Sequence, residues 1–120
     1  KALISSPGLK DKNQRRIVIK NGSKIEMIPY EDIHYIESYG DYARIHAVQG
    51  KFLKQKTMKE LEDSLGADFL RIHRSFLVNT TCIQKLELYE KNSYLVLLKN
   101  GEKLSVSKNG YKLLKDTLGW

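Results

Sequence analysis

The sequence is poor in the groups that build disulfide-bonded or membrane-spanning proteins. Its single cysteine, Cys82, cannot form a disulfide within the chain, which excludes a disulfide-stapled secreted domain and favours the reducing cytosol. No stretch approaches the roughly 18 consecutive apolar residues of a membrane span, and residues 1–16 lack the apolar core of a signal peptide. With 120 residues, 41% of them hydrophobic, the chain is expected to be one soluble, cytoplasmic domain without a membrane partner.

Groups that could carry catalysis or hold a metal are also scarce. The three histidines and Cys82 lack the paired spacing of zinc sites, and Gly40 and Gly50 are isolated turn residues rather than a phosphate-binding loop. His73 and Cys82 could meet as base and nucleophile, but Cys82 lies in the apolar-leaning run 78–83, which favours a buried structural thiol. The sequence therefore predicts a protein that is not an enzyme and uses no cofactor or metal.

The formal net charge of +7 is unevenly distributed along the chain. Residues 1–16 contain five basic residues and one acidic residue, whereas residues 17–120 contain 16 basic and 13 acidic residues. Because the larger part is only mildly basic, total charge is not evidence for nucleic-acid binding, and a local basic face is required.

The first residues have the composition of a linker. Residues 1–14 include Ser5, Ser6, Pro7 and Gly8 and then a polar basic run without apolar periodicity. The sequence begins with Lys1 rather than Met. We therefore expect residues 1–14 to tether a missing N-terminal domain to a globular domain of residues 15–120.

From residue 15 onward, short strand-like runs are separated by glycine turns. Asn-Gly and related pairs between two such runs are typical of tight β-hairpins. Three hairpins are predicted: residues 17–20 and 24–28 around Asn21-Gly22, residues 42–48 and 52–55 around Gln49-Gly50, and residues 94–99 and 103–106 around Asn100-Gly101. An antiparallel, mostly β architecture follows.

Alternation within these runs assigns side chains to faces, because strand side chains point alternately to opposite sides. In residues 42–48 one face holds Ala43, Ile45 and Ala47, and the opposite face, expected to be solvated, holds Tyr42, Arg44 and His46. In residues 85–89, Leu86 and Leu88 are expected to point inward. Residues 94–98 are apolar on both faces, which predicts a central strand.

Two helices are predicted among the strands. Thr57 and Glu60 have the spacing of a capping box, followed by Met58, Leu61 and Leu65 at helical spacing and by Gly66 as the end of the helix. A second helix over residues 108–118 carries the apolar stripe Tyr111, Leu114 and Leu118 and ends at Gly119. Its opposite face carries Lys108, Lys112 and Lys115 near a helix N-terminus, where free amides also favour anions.

Two loops carry more polar and aromatic groups than a turn requires. Residues 38–44 join two strands, and the plain alternative is a solvated turn in which Arg44 pairs with Asp41. In residues 71–76, His73, Arg74 and Ser75 interrupt a run of core-forming residues. An arginine fork can bind guanine edges, and serine or histidine can donate to phosphate, so this triplet suits duplex recognition.

The order of these segments resembles the LytTR family, the DNA-binding output domains of bacterial response regulators. The resemblance rests on YIESYGDYARIH at residues 35–46, the capped helix, FLRIHRSFLVN at residues 69–79 and LSVSK at residues 104–108, and it covers residues 17–118. It implies an elongated antiparallel β fold of about ten short strands with two short helices. It also implies loops, rather than a recognition helix, inserted into successive major grooves of double-stranded DNA.

The resemblance implies DNA contacts from three segments. They carry over to Asp41, Tyr42, Ala43 and Arg44; to His73, Arg74 and Ser75; and to Ser107, Lys108 and Asn109, which Lys112 extends. Ala43 stands where some members of the family have a polar residue, and Lys108 stands where an arginine is frequent. The DNA sequence that this domain binds is therefore expected to differ from the sequences that those members bind.

The resemblance further implies an upstream receiver domain, a sensor histidine kinase and dimerisation on DNA in the full-length protein. Two alternatives remain open at this point. One is a β-rich protein-interaction module whose basic face serves only solubility, and the other is an enzyme. Salt-dependent binding to duplex DNA would distinguish the DNA-binding interpretation from both alternatives.

Overall fold

The computed structural model describes residues 15–91 and 93–120, so the predicted linker, residues 1–14, lies outside the described residues. The described chain is mostly β and elongated, with extents of 55 × 33 × 24 Å, as expected. It contains ten strands and two α-helices: β1 (Arg16–Asn21), β2 (Lys24–Pro29), β3 (Ile33–Tyr39), β4 (Tyr42–Ala47), β5 (Gly50–Lys54), α1 (Met58–Leu65), β6 (Phe69–His73), β7 (Phe76–Asn79), β8 (Ile83–Glu90), β9 (Ser93–Leu98), β10 (Lys103–Val106) and α2 (Lys108–Leu118). Single 3-10 turns, Tyr30–Asp32 and Thr80–Cys82, precede β3 and β8.

The strands form three antiparallel sheets. The β1–β2 hairpin stands alone, β10-β9-β8 form a three-stranded sheet, and β5-β4-β3-β7-β6 form the central sheet. All three predicted hairpins are present, and Gly22 and Gly101 occupy the positive φ that their tight turns require.

The central sheet is covered on both faces, which creates two hydrophobic clusters. On one face, the β1–β2 hairpin and α1 pack on the sheet; this first cluster includes Ile19, Ile28, Ile36, Ala43, Ile45, Leu61, Leu65 and Leu77. On the other face, the three-stranded sheet and α2 pack on β6 and β7; this second cluster includes Tyr35, Ile72, Val78, Val96, Leu104 and Leu114. The site described below lies where both clusters end.

Helix α1 begins as the sequence predicts. The Glu60 amide donates to the Thr57 hydroxyl at 3.0 Å, and the Thr57 amide donates to the Glu60 carboxylate at 2.9 Å. Hydrogen bonding from Thr57, chiefly from its backbone amide, favours the carboxylate form, so the pKa of Glu60 is lowered. Met58, Leu61 and Leu65 are buried, and this fixes the start of α1 against the sheet.

Strand β9 is the centre of its sheet, as its apolar sequence predicts, with Val96 and Leu98 fully buried. The prediction for Leu88 is wrong, because this side chain is 65% exposed. Leu88 lies opposite Tyr94 beside the β8–β9 turn, on an edge strand whose register shifts there. Leu86, further from that turn, is half-buried against the second cluster as expected.

The face of β4 that was expected to be solvated is covered at His46. This side chain is only 5% exposed and stacks on Tyr35, with 4.1 Å between the ring centroids. The Tyr35 hydroxyl donates to Glu102 in the loop between β9 and β10, so the three-stranded sheet covers this part of β4. Alternation identified the two faces correctly, but it carries no information about a second sheet.

Candidate nucleic-acid interface

The β3–β4 turn and the β6–β7 turn lie side by side at one end of the central sheet. Strand β3 pairs with β7 from Tyr35 to Glu37, which brings the end of β3 to the start of β7. Beyond the ladder, the Ser38 amide donates to the Ser75 carbonyl at 2.9 Å. The two loops singled out in the sequence therefore form one continuous surface.

The start of α2 is hydrogen-bonded to a β-bulge in β6, next to the β6–β7 turn. The β6–β7 register shifts between Arg71 and His73, which leaves the Ile72 carbonyl outside the ladder. This carbonyl accepts the Ser107 amide at 2.8 Å and the Ser107 hydroxyl at 3.3 Å. The first turn of α2 is thus bonded to Ile72, the residue that precedes His73 in the chain.

Gly110 permits this close approach. A methyl group at Gly110 would lie 1.9 Å from the Ile72 carbonyl oxygen. The Ser107 hydroxyl also accepts the Gly110 amide at 3.0 Å and caps α2. Glycine at this position therefore allows the helix to lie directly on the strand backbone.

We call the surface made by residues 41–44, 73–75, 107–109 and Lys112 the loop face. Most of its members reach solvent. The exposed ones are Asp41, Tyr42, Arg74, Lys108, Asn109 and Lys112, and the half-buried ones are Arg44, His73, Ser75 and Ser107. The structure thus brings the three predicted segments together.

Two of the predicted contact residues, Ala43 and Ser107, have side chains that pack or bond within the protein. Ala43 is fully buried in the first cluster, so its side chain packs in the core, and its assignment to the DNA-contacting segment stays a prediction. Its methyl group follows the inward alternation of Ile45, which the sequence had already indicated. The Ser107 hydroxyl is engaged at both Gly110 and Ile72, so its main observed role is to cap and dock α2.

Arg44 is held by groups other than Asp41. Its guanidinium lies 3.8 Å from the centroid of the Tyr39 ring and 3.9 Å from the Glu37 carboxylate. The same Glu37 oxygen lies 2.9 Å from His46 Nε2. A solvated Arg44–Asp41 turn is therefore not what the structure shows.

The Tyr35 hydroxyl belongs to the same layer of polar groups. Burial raises the pKa of Tyr35 first, and the hydrogen bond to Glu102 and the charge of Glu37 raise it further. Tyr35 also contacts Phe76 edge-on, with 6.0 Å between the ring centroids. These contacts join β3 to the start of β7 and to the loop between β9 and β10.

A cleft of about 460 Å³ opens between the two turns and the start of α1. Its lining includes the cations Lys56, Lys59, Arg71 and Arg74 and one carboxylate, Asp41. Sequence reasoning did not assign Lys56, Lys59 or Arg71 to the site. The capping box locates the start of α1 along the chain, but it does not show that this start lies beside the β6–β7 turn.

Several cations of the loop face and of the adjoining cleft have no acidic partner among the described residues. In the described part of the chain, no carboxylate lies within 4.0 Å of the side-chain nitrogens of Lys56, Arg74, Lys108 or Lys112. Lys59 and Arg71 instead pair with Asp63 and Glu62 on α1. A phosphate group would meet positive charge that is not already neutralised.

The possible nucleophile and base of the enzyme alternative do not come together. His73 and Cys82 lie before and after β7, at opposite ends of this strand. The Cys82 sulfur lies 3.9 Å from His34 Nδ1, and burial raises the pKa of its thiol. His73 Nδ1 accepts the Ser75 amide at 3.1 Å. Across residues 15–91 and 93–120, no three His, Cys, Asp or Glu side chains are grouped as a metal site would require.

The family model for the LytTr DNA-binding domain matches residues 23–119. The chain is 28% identical to the sensory transduction protein LytT of Bacillus subtilis, and the match covers 88% of this chain and 44% of that protein. It is 32% identical to LytT of Enterococcus faecalis, with 86% of this chain and 43% of that protein covered. It is 31% identical to the transcriptional regulatory protein LytR of Staphylococcus aureus, with 80% of this chain and 39% of that protein covered. The chain belongs to the LytTr DNA-binding domain family. It spans less than half the length of these relatives.

A solved structure has the same fold. It is a LytTr DNA-binding domain from Bacillus cereus, with a TM-score of 0.81 and 24% identity, and the match covers 88% of this chain and 98% of that one. The expected mostly β fold with two helices is thereby confirmed. No helix among the described residues is both long enough and apolar enough to cross a bilayer.

Proposed function

We propose that this domain binds duplex DNA with sequence preference by inserting its loop face into the major groove, and that it regulates transcription in this way. The observation that carries the proposal is the junction of three distant segments through the Ser38–Ser75 and Ser107–Ile72 hydrogen bonds. Together they present exposed Arg74 and Lys108 on one surface. Membership of a DNA-binding family supports the same partner.

The loop face divides into base-reading and backbone-binding groups. Arg74 is exposed in the β6–β7 turn, which the Ser38–Ser75 hydrogen bond joins to β3, and an arginine fork matches the O6 and N7 acceptors of guanine in the major groove. Tyr42 and Asn109 flank it with further polar groups. Lys108 and Lys112 are point charges suited to phosphates, which position the protein without reading sequence.

The relatives support a proposal for the wider context of the domain. The similar proteins are a sensory transduction protein and a transcriptional regulatory protein, each more than twice the length of the match. In the proposed full-length protein, residues 1–14 link a receiver domain to this DNA-binding domain. Phosphorylation of the receiver by a sensor histidine kinase would promote dimerisation on DNA.

Chemical interference mapping tests the groove. A duplex selected from a random library is methylated sparsely at guanine N7, in the major groove, and bound and free fractions are compared with those of a duplex methylated at adenine N3, in the minor groove. Interference at guanine N7 is the expected result. Interference at adenine N3 alone would contradict major-groove insertion, and absence of a selected sequence would leave the protein-interaction alternative.

A further inference from the structure

The Arg71 side chain bonds to two backbone carbonyls of the β6–β7 turn. Its Nη2 donates to the Arg74 carbonyl at 2.7 Å, and its Nε donates to the His73 carbonyl at 3.3 Å. Its Nη1 donates to the Glu62 carboxylate on α1 at 3.4 Å. One guanidinium therefore connects helix α1 to the two backbone carbonyls on either side of the Arg74 Cα atom.

The position of Arg71 explains why it acts on the turn rather than on a ligand. Arg71 pairs with Leu77 in the β6–β7 ladder, on the sheet face that α1 covers, and its side chain is half-buried. Three of its donors are already used by protein acceptors. Arg74, by contrast, is exposed and contributes only its carbonyl to this network.

We propose that Arg71 is a positioning residue for base reading: it fixes the backbone of His73 and Arg74 so that the Arg74 side chain is presented in one orientation. This inference rests on the proposed DNA-binding function and names a residue that supports base reading by Arg74. A base contact requires the fork to be placed accurately, and a freely moving turn would lose that geometry while keeping its charge.

The role requires arginine and not merely a cation. The planar guanidinium carries five donors in fixed directions, so it can satisfy two carbonyls and a carboxylate at once. A lysine ammonium has the same charge on a flexible stem, and it cannot hold these three acceptors in one plane. Arg71→Lys therefore removes the positioning and keeps the charge.

The main experiment compares Arg71→Lys with the parent on a selected duplex and on a random duplex at the same salt. We expect the affinity for the selected duplex to fall about tenfold, within the range of one bidentate base contact, and the random-duplex affinity to stay unchanged. Arg15→Lys is the matched control, because Arg15 pairs with Asp68 outside the loop face. It should leave both affinities unchanged.

A double variant separates positioning from direct contact. If Arg71 acts through Arg74, then Arg71→Lys combined with Arg74→Ala loses no more affinity for the selected duplex than Arg74→Ala alone. Independent losses that multiply, together with weaker binding of Arg71→Lys to random duplex, would show that Arg71 contacts DNA itself. That result would overturn the proposal.

A measurement without DNA tests the same idea. Amide hydrogen exchange at Ser75, whose amide bonds to His73, should become faster in Arg71→Lys, while exchange at Ser107 should not change. Unchanged exchange at Ser75 would overturn the positioning role. If the parent itself shows no preference for any duplex, the proposed function fails, and the exchange result still reports on the turn.

A milder variant covers the case in which Arg71→Lys folds poorly. Glu62→Gln keeps both bonds from Arg71 to the turn and weakens only its attachment to α1. We expect a smaller loss of preference, about twofold to threefold, with normal thermal unfolding. Equal losses on selected and random duplex in parallel with a lower unfolding temperature would instead indicate a purely structural ion pair.

Discussion

The amide of Ser38 donates to the carbonyl of Ser75 at 2.9 Å, and this single backbone bond joins two turns that are separated by 37 positions in the chain. It lies beyond the last ladder pair between β3 and β7, so it extends the sheet into the loop face. The β3–β4 turn and the β6–β7 turn therefore lie side by side and form one surface. Base reading from loops is possible only if the loops are held in this way.

Arg74→Ala tests the principal base contact. The Arg74 side chain is exposed and makes no ion pair within the described residues, so its removal should leave the unfolding temperature unchanged. Affinity for the selected duplex should fall by about 1–3 kcal/mol, with relaxed preference at one base position. Repeating the selection with the variant measures both. Unchanged base preference in the folded variant would remove Arg74 from readout.

The lysines of α2 test the backbone contacts. Each phosphate that a lysine neutralises releases a counterion, so loss of one contact should reduce the slope of log affinity against log salt by about 0.9. We expect this change for Lys108→Ala and Lys112→Ala on selected and random duplex alike. Lys115→Ala, further from the docked helix start, is the matched control and should keep the parent slope.

Other outcomes for these lysines are equally clear. Parent slopes in all three variants would mean that this helix face does not touch the DNA backbone. A change of base preference in Lys108→Ala would move Lys108 from backbone binding to base reading, because it is the lysine next to the β6–β7 turn.

Gly110→Ala tests the docking of α2. The added methyl group would meet the Ile72 carbonyl at 1.9 Å, and backbone on both sides prevents easy relaxation. We expect the free energy of unfolding to fall by about 3 kcal/mol, measured by urea denaturation. The adjacent exposed substitution Asn109→Ala should change it by less than about 0.5 kcal/mol. A stable Gly110→Ala would show that α2 is not seated on β6 in solution.

Several features of the fold could be predicted from the sequence because their causes are local. Asn-Gly pairs define two of the hairpins, and the Thr57–Glu60 pair defines the start of α1. Two of the three segments of the site stood out by their polar and aromatic composition, and the family resemblance assigned DNA contacts to all three. Their assembly at one end of the sheet depends on non-local backbone bonds, such as Ser107 to Ile72, which no local pattern encodes.

The errors have physical reasons of the same kind. Alternation along β4 placed His46 on the correct face, but the three-stranded sheet that buries it comes from residues about 40–60 positions later. Alternation also placed Ala43 inward, as the structure has it, whereas its place in a DNA-contacting segment came from the family resemblance and stays a prediction. Arg71 was missed because its partners are turn carbonyls, which have no side-chain signature.

The pH dependence of stability at alkaline pH tests the burial and hydrogen bonding of Tyr35. The pKa of Tyr35 is raised in the folded state above its ordinary value near 10, so folding favours the protonated phenol. Its stabilising contribution is complete below about pH 10 and is lost as the pH rises further. Tyr35→Phe should therefore show a smaller fall in the free energy of unfolding between about pH 8 and pH 11, measured by urea denaturation.

The comparison has a defined background. Tyr30 also has a raised pKa, through burial, and it remains in the variant, so the alkaline loss should be reduced rather than abolished. An identical pH dependence in parent and Tyr35→Phe would mean that Tyr35 ionises as freely in the folded chain as in the unfolded chain.

The most direct test of the central claim is a competition measurement with the parent domain. A labelled duplex selected from a random library is bound at fixed salt, and the unlabelled selected duplex and an unlabelled random duplex of equal length compete for the protein. Sequence-specific readout predicts that the selected competitor acts at concentrations at least about a thousandfold lower. Equal competition by the two duplexes would contradict it and would leave the loop face as a surface that binds DNA by charge alone.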